Sequence, residues 1–137
     1  MSEVKVFYFS VADANAKIQI LTKIVTAHFL KKEKIQILVP DLKTLTFVDS
    51  LLWKEPRESF LPHSVQTEDF ITISTETTDL CPIIFNLCPT PCPSTEMLKT
   101  LYELEDVSHP QKKMIFQQKF AEYQKKGWIL CSQPTGK

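Results

Sequence analysis

Ile35-Gln36-Ile37-Leu38-Val39 is a short and almost continuous apolar run. A strand of this kind is usually buried on both faces, as in a parallel sheet that carries helices on either side. Pro40 ends the run because proline lacks the backbone donor that a sheet needs, and Asp41 can cap a helix directly after it. The stretch therefore predicts an α/β fold with a largely parallel sheet.

The sequence on either side of this run alternates strand and helix patterns, which is the rhythm of βαβ units. Predicted strands cover residues 4–9, 35–39, 69–73, 83–87, 101–107 and 128–130. The first predicted helix is capped by Asp13 or Asn15 and ends near Leu30, and the second covers 42–52. A short helix is capped by 94–96 and ends near 99, and the last lies between Pro110 and Gly127. We expect one domain over residues 1–137: a three-layer, Rossmann-like α/β fold with a mostly parallel sheet.

Glycine scarcity excludes the common phosphate-binding loops. Gly127 and Gly136 are the two glycines of the chain, whereas G-x-G-x-x-G and G-x4-G-K-S/T loops need several so that backbone N–H groups can reach phosphate. The predicted fold therefore has no nucleotide-binding glycine loop, and no cofactor is expected.

Charge and hydropathy narrow the functional classes further. The 16 basic and 16 acidic residues give a formal net charge of zero, whereas a domain that binds nucleic acid is usually basic. No apolar run approaches the roughly 20 residues of a membrane span, and the first residues lack a signal-peptide pattern. We expect a cytoplasmic protein with little or no direct nucleic-acid binding.

Cys88 and Cys92 form a C-x3-C pair that could be half of a zinc site. The other cysteines and the histidines are isolated in the sequence, so no second pair of ligands completes it. Small apolar thiols in the proline-rich loop 88–93 are the favoured interpretation, and no metal is expected.

The last predicted helix places Ile115, Phe116 and Tyr123 in one sector, which should pack on the sheet. Lys112 and Lys119 fall in the same sector. The helical pattern predicts that both lysines snorkel, with apolar stems at the core and charged ends in water.

Lys113, Gln117, Phe120 and Gln124 form a neighbouring stripe on this helix. The lysine could attract the carboxylates of an acidic peptide, and Phe120 could wall a pocket for an apolar terminal residue. The alternative is a solvated helix face at the edge of a normal core.

The segment from Leu52 to His63 is predicted to be irregular, because its two prolines, Pro56 and Pro62, oppose a long helix. It holds three large apolar residues within nine positions: Trp53, Phe60 and Leu61. A segment this apolar either folds back onto the core or meets a partner, and composition does not decide between them.

The segment Leu52-Trp53-x-x-Pro56-x-x-Ser59-Phe60-Leu61-Pro62-His63 resembles part of the chi subunit of bacterial DNA polymerase III. A second match is the segment 102–106, followed by a lysine-rich helix, Tyr123, Gly127 and the segment 128–130. The resemblance spans nearly the whole chain, and the first motif is the more specific.

The resemblance implies a non-enzymatic accessory subunit of the polymerase. In the family, one surface binds the psi subunit of the clamp loader, and another binds the acidic C-terminal tail of single-stranded-DNA-binding protein. The psi-binding positions are then Trp53, Phe60, Leu61, Pro62 and His63.

The tail-binding positions implied by the resemblance are Lys113, Gln117, Phe120 and Gln124. Gln117 stands where the family commonly has arginine, and Ala121 where it often has lysine. Glutamine cannot form the bidentate pair that arginine makes with a carboxylate. Tail binding here is therefore weaker, lost, or rebuilt around Lys112, Lys119 or Lys125.

An enzyme is the alternative from another class. His63, Cys88 and Asp79 are the residues that could serve a small α/β hydrolase or transferase, but no G-x-S-x-G nucleophile elbow accompanies them. A cleft that gathers His63 with a thiol or a carboxylate would support this hypothesis.

Overall fold

The computed structural model of the chain describes residues 4–54, 71–76, 81–93 and 97–133, without the side chains of residues 52–54. The described strands are β1 (Lys5–Val11), β2 (Ile35–Leu38), β3 (Ile71–Ser74), β4 (Ile83–Asn86), β5 (Thr100–Asp106) and β6 (Ile129–Gln133). The described helices are α1 (Ala14–Leu30), α2 (Leu42–Lys54) and α3 (Pro110–Lys125).

The six strands form one sheet in the order β3-β2-β4-β5-β1-β6. Every pair of neighbours in this sheet is parallel. The predicted α/β class is confirmed, and the described sheet is wholly rather than mostly parallel.

Helices cover both faces of the sheet, which gives the three layers. On one face, Val25 of α1 and Val48 of α2 belong to the same buried cluster as Ile37 and Phe85. On the other face, Tyr123 of α3 belongs to a second cluster with sheet residues from β1, β4 and β5. β1 continues into α1 on one face of the sheet, and the adjacent β5 continues into α3 on the other face. The two connections therefore diverge and leave a crevice at the carboxyl ends of β1 and β5.

Local sequence explains where the helices begin and end. The side chain of Asp13 accepts the Ala16 N–H at 2.8 Å, which caps α1. Asp41 caps α2 through the Thr44 N–H at the same distance. Past α3, Gly127 has a φ of +78°, a left-handed conformation that glycine adopts without strain.

Three predicted boundaries need correction. α2 continues to Lys54, so the backbone of residues 52–54, predicted to begin an irregular segment, is helical. Residues 97–99, predicted to end a short helix, contain no helical residue, while the segment 94–96 that would cap it lies outside the described residues. β6 runs on to Gln133, beyond residue 130, where the strand was predicted to end. Parallel pairing with β1 extends the strand because Gln133 is paired with Phe9.

Candidate functional site

A buried polar network fixes the position of α3 on the sheet. Glu103 of β5 has no exposed surface. Its Oε1 pairs with the Lys119 ammonium at 2.9 Å, and its Oε2 accepts hydrogen bonds from Asn86 Nδ2 at 2.8 Å and Tyr123 Oη at 2.5 Å. These bonds hold two successive turns of α3 against one carboxylate.

The prediction that Lys119 snorkels is wrong. The residue is 6% exposed, and its ammonium donates to Glu103 and also to the Cys88 carbonyl at 2.5 Å. Lys119 therefore cannot supply charge to a surface site. Lys112, the other lysine of that sector, is half exposed and lies 3.6 Å from Asp106.

Burial of the network shifts the pKa values of Glu103 and Tyr123. Desolvation raises the pKa of the Glu103 carboxyl, and the nearby Lys119 charge opposes that rise. Desolvation and the Glu103 charge raise the pKa of Tyr123 far above its usual range, so this phenol stays a donor to the carboxylate. Tyr123 Oη in turn accepts the Cys92 N–H at 2.8 Å, which anchors the proline-rich loop.

The end of α3 is closed by paired hydrogen bonds. The Gly127 N–H donates to the Gln124 carbonyl and the Trp128 N–H to the Tyr123 carbonyl, which is the Schellman pattern. It turns the chain so that the Trp128 ring stacks on Tyr123 with centroids 5.2 Å apart.

With α3 fixed in this way, three of the four stripe residues, Lys113, Gln117 and Gln124, are exposed, and Phe120 is half-buried. Phe120 meets two other aromatic rings: its centroid lies 5.8 Å from that of Tyr8 and 6.0 Å from that of Phe116. Lys113 forms no ion pair with any described residue. The structure thus brings one unengaged cation and an aromatic cluster to the same part of the helix.

A pocket of about 370 Å³ opens beside Phe120, between α3 and the carboxyl-terminal parts of β1, β5 and β6. Its described lining residues are Tyr8, Glu105, Phe116, Gln117, Phe120 and Ser132. Tyr8 and Glu105 were not predicted as site residues. Both follow from strand alternation, since Tyr8 and Glu105 point to the same face of the sheet as Val6 and Glu103.

The crevice at the carboxyl ends of β1 and β5 forms a second cavity, of about 380 Å³. At its edge, Asp106 pairs with the Lys17 ammonium at 2.5 Å and accepts hydrogen bonds from the Ser108 side chain and backbone. Burial opposes ionisation of Asp106, but these donors outweigh it and hold the pKa of the carboxyl well below its usual range.

Asp106→Asn is expected to lower the free energy of unfolding at pH 7 by roughly 1–3 kcal/mol, because a charged acceptor of several bonds is lost. A depressed pKa stabilises the fold above the unfolded value of about 4, and this contribution disappears as the pH falls below it. Urea unfolding at a series of pH values should therefore show the two proteins converging toward about pH 2. Asp13→Asn is the control, since asparagine also caps helices well; a constant gap between wild type and Asp106→Asn would contradict the assignment.

The structure describes only the Trp53 backbone among the psi-binding positions that the resemblance implies. The Trp53 backbone lies in α2, but its side chain is not described, and Phe60, Leu61, Pro62 and His63 lie outside the described residues. In the described part of α2, Val48 is buried and Phe47 is 56% exposed.

The thiols of the proline-rich loop are not activated. Burial raises the pKa of Cys88, and it raises that of Cys92 to about 12. A nucleophilic cysteine needs the opposite shift in pKa, because the thiolate is the reactive form. His63 and Asp79 lie outside the described residues, within which no group of three or more His, Cys, Asp or Glu residues could hold a metal ion.

Comparison with known families tests the resemblance seen in the sequence. The sequence model of the DNA polymerase III chi subunit family, HolC, matches residues 1–130 of the 137. The chain belongs to the chi subunit family. The resemblance seen in the sequence is thereby confirmed, and membership in the chi family supports an accessory role in DNA replication. No curated protein matches the chain.

Among the described residues, no helix is long and apolar enough to cross a membrane. The described residues of this chi-family chain present a helix stripe, an aromatic pocket and a cleft.

Proposed function

We propose that this chain links the clamp loader of DNA polymerase III to single-stranded-DNA-binding protein. One surface would bind a psi subunit through Trp53, Phe60, Leu61, Pro62 and His63. The other would bind the acidic C-terminal tail of single-stranded-DNA-binding protein through Lys113, Gln117, Phe120 and Gln124. The chain itself would catalyse no reaction.

The observation that carries the tail proposal is that Lys113 is exposed on the same helix stripe as Phe120, which packs with Tyr8 and Phe116. Lys113 is free to meet a carboxylate because no described residue engages it. The cluster of Tyr8, Phe116 and Phe120 gives an apolar terminal side chain rings to pack against. An exposed charge combined with an aromatic anchor is typical of a weak, salt-sensitive peptide site.

Few basic residues of α3 could replace the two family charges that are absent at Gln117 and Ala121. Gln117 and Ala121 carry no charge, Lys119 is buried in the Glu103 pair, and Lys112 lies beside Asp106. Lys125, which is exposed, is the remaining candidate of those considered. A tail peptide would thus meet Lys113 in one part of the helix and Lys125 near its C-terminal end. The helix dipole is negative at that end, so it favours the lysine but disfavours a carboxylate.

Lys113→Glu is expected to weaken binding of a peptide with a free acidic–aromatic C-terminus by roughly 3- to 10-fold, since it replaces one exposed attraction by a repulsion. Isothermal titration should give micromolar-range binding to the wild type that weakens with salt. Lys23→Glu, an exposed charge reversal on α1, is the matched control and should bind as the wild type does. Absence of heat with the wild type, together with no effect of Lys113→Glu in a pull-down, would refute the tail half of the proposal.

A further inference from the structure

β6 is the last strand of the described sheet, so one of its edges has no neighbouring strand among the described residues. The Ile129 N–H donates to the Val4 carbonyl at 3.0 Å, which points the backbone groups of Ile129 toward β1. Backbone groups alternate in direction along a strand, so those of Leu130 and Ser132 point away from β1. The free edge therefore presents N–H donors and carbonyl acceptors, the groups by which one strand recognises another.

The sequence of β6 contains nothing that would block a further strand. Natural sheet edges are commonly protected by lysine, proline or another charged residue, but the segment Ile129–Gln133 has none of these. Ile129 is 38% exposed and Cys131 is half-buried, so apolar surface of this strand faces water. A further strand would cover this surface and pair with the free backbone groups.

The strand is complementary to itself in one register. In an antiparallel pair, residues that exchange hydrogen bonds alternate with residues that do not. A two-fold axis at Cys131 places Leu130 of one copy opposite Ser132 of the other, so that every outward-pointing backbone group of these residues is bonded. All five residues of β6 are then paired. An axis at Leu130 or at Ser132 pairs fewer residues and bonds only half of these groups.

We propose that β6 pairs antiparallel with β6 of a second copy of this chain, about a two-fold axis at Cys131. The strand carries no charge that would repel its own copy, and the formal net charge of the chain is zero. The self-matching register favours a second copy over an unrelated strand. Because the paired edge is short, we expect a weak dimer, with a dissociation constant on the order of 0.1 mM.

Cross-linking through Cys131 tests the register. Opposite residues that exchange no hydrogen bonds have Cα atoms about 4.5 Å apart, which a disulfide can span. The background is Cys88→Ser, because Cys88 is the other half-buried thiol, whereas Cys81 and Cys92 are buried. In this background, copper(II)–phenanthroline should oxidise the chain to a covalent dimer at a protein concentration of about 0.1 mM. Adding Cys131→Ser should abolish the product.

The matched control moves the thiol by one residue. In the Cys88→Ser background, Cys131→Ser combined with Ser132→Cys puts the two new thiols opposite Leu130 rather than opposite each other. Their Cα atoms are then more than about 7 Å apart, beyond the reach of a disulfide. This protein should cross-link at least roughly tenfold more slowly than the protein with Cys131. Equal rates would indicate random collision and overturn the proposal.

Sedimentation equilibrium under reducing conditions measures the dimer without a covalent bond. The mean mass of the wild type should rise toward that of a dimer as the concentration approaches about 1 mM. Ser132→Pro removes an N–H that points away from β1, so it should keep the fold, which thermal unfolding checks, and weaken the dimer at least roughly tenfold. A wild type that stays monomeric at this concentration, with no cross-link through Cys131, would leave the edge to a strand of another protein and overturn the proposal.

Discussion

Lys119→Met is expected to lower the free energy of unfolding by about 3–5 kcal/mol, the usual cost of removing one partner from a buried ion pair. Methionine fills similar space but leaves the Glu103 carboxylate buried, with Asn86 and Tyr123 as its remaining donors. The Cys88 carbonyl also loses the ammonium that lies 2.5 Å away. Urea denaturation at pH 7 measures the loss.

The pH dependence of the stability loss in Lys119→Met shows whether the buried Glu103 charge causes it. Burial raises the pKa of Glu103, and the variant lacks the Lys119 charge that opposes this rise. A carboxyl with a raised folded pKa destabilises the fold above that pKa, and the penalty fades as the group takes up a proton at lower pH. The gap between Lys119→Met and wild type should therefore narrow as the pH falls toward about 5.

Two further proteins control this experiment. Lys125→Met removes an exposed lysine of the same helix and should change stability by no more than about 0.5 kcal/mol. The double variant Glu103→Gln/Lys119→Met removes both charges and should be more stable than Lys119→Met. A loss below about 1 kcal/mol in Lys119→Met, the range of an exposed pair, would show that the ammonium is solvated.

Phe60→Ala is expected to weaken binding to a psi subunit by roughly 30-fold or more, the size of a hot-spot loss of about 2 kcal/mol. The reason is the proposed assignment of the segment 52–63, with its aromatic positions, to the psi-binding surface. Aromatic residues at the centre of an interface carry a large share of the binding energy. Co-expression with a psi subunit, followed by co-purification and titration, measures the effect.

Leu30→Ala is the control for this second experiment, because Leu30 is 73% exposed at the end of α1 and outside the motif. It should bind psi as the wild type does. If Phe60→Ala binds psi normally but unfolds more easily, Phe60 belongs to the core. If the variant neither unfolds more easily nor loses psi, the assignment of the segment to the psi surface is wrong.

Much of the fold could be predicted because buried strands, helix caps and turns each leave a pattern within a few neighbouring residues of the sequence. The run 35–39 indicated a strand covered on both sides, and β2 is fully buried as expected. Asp41 marked the beginning of α2, and Asp13 was one of two candidate caps for α1, because a capping side chain bonds to a backbone N–H three residues later. Gly127 marked the exit from α3 because the turn there requires a positive φ.

The site was harder to predict because it is built from residues far apart in the chain. Phe120 was identified from helical spacing, but the rings that surround it depend on Tyr8, more than a hundred residues earlier. The acidic alternation in 101–107 indicated a strand without showing that Glu103 is buried or that Glu105 lines a pocket. A pattern reveals the face of an element on which a residue lies, but not what that face meets.

The sequence by itself determined the parallel α/β architecture, most element boundaries, the absence of phosphate-binding glycine loops and the resemblance to the chi family. Only the tertiary structure decided the role of Lys119. A lysine in an apolar helical sector ordinarily extends its charge to water; here a carboxylate 16 residues earlier in the chain lies under it and receives the ammonium. The physical reason is that burying a charge is tolerated when its partner is buried with it, and such partners are brought together by packing between elements.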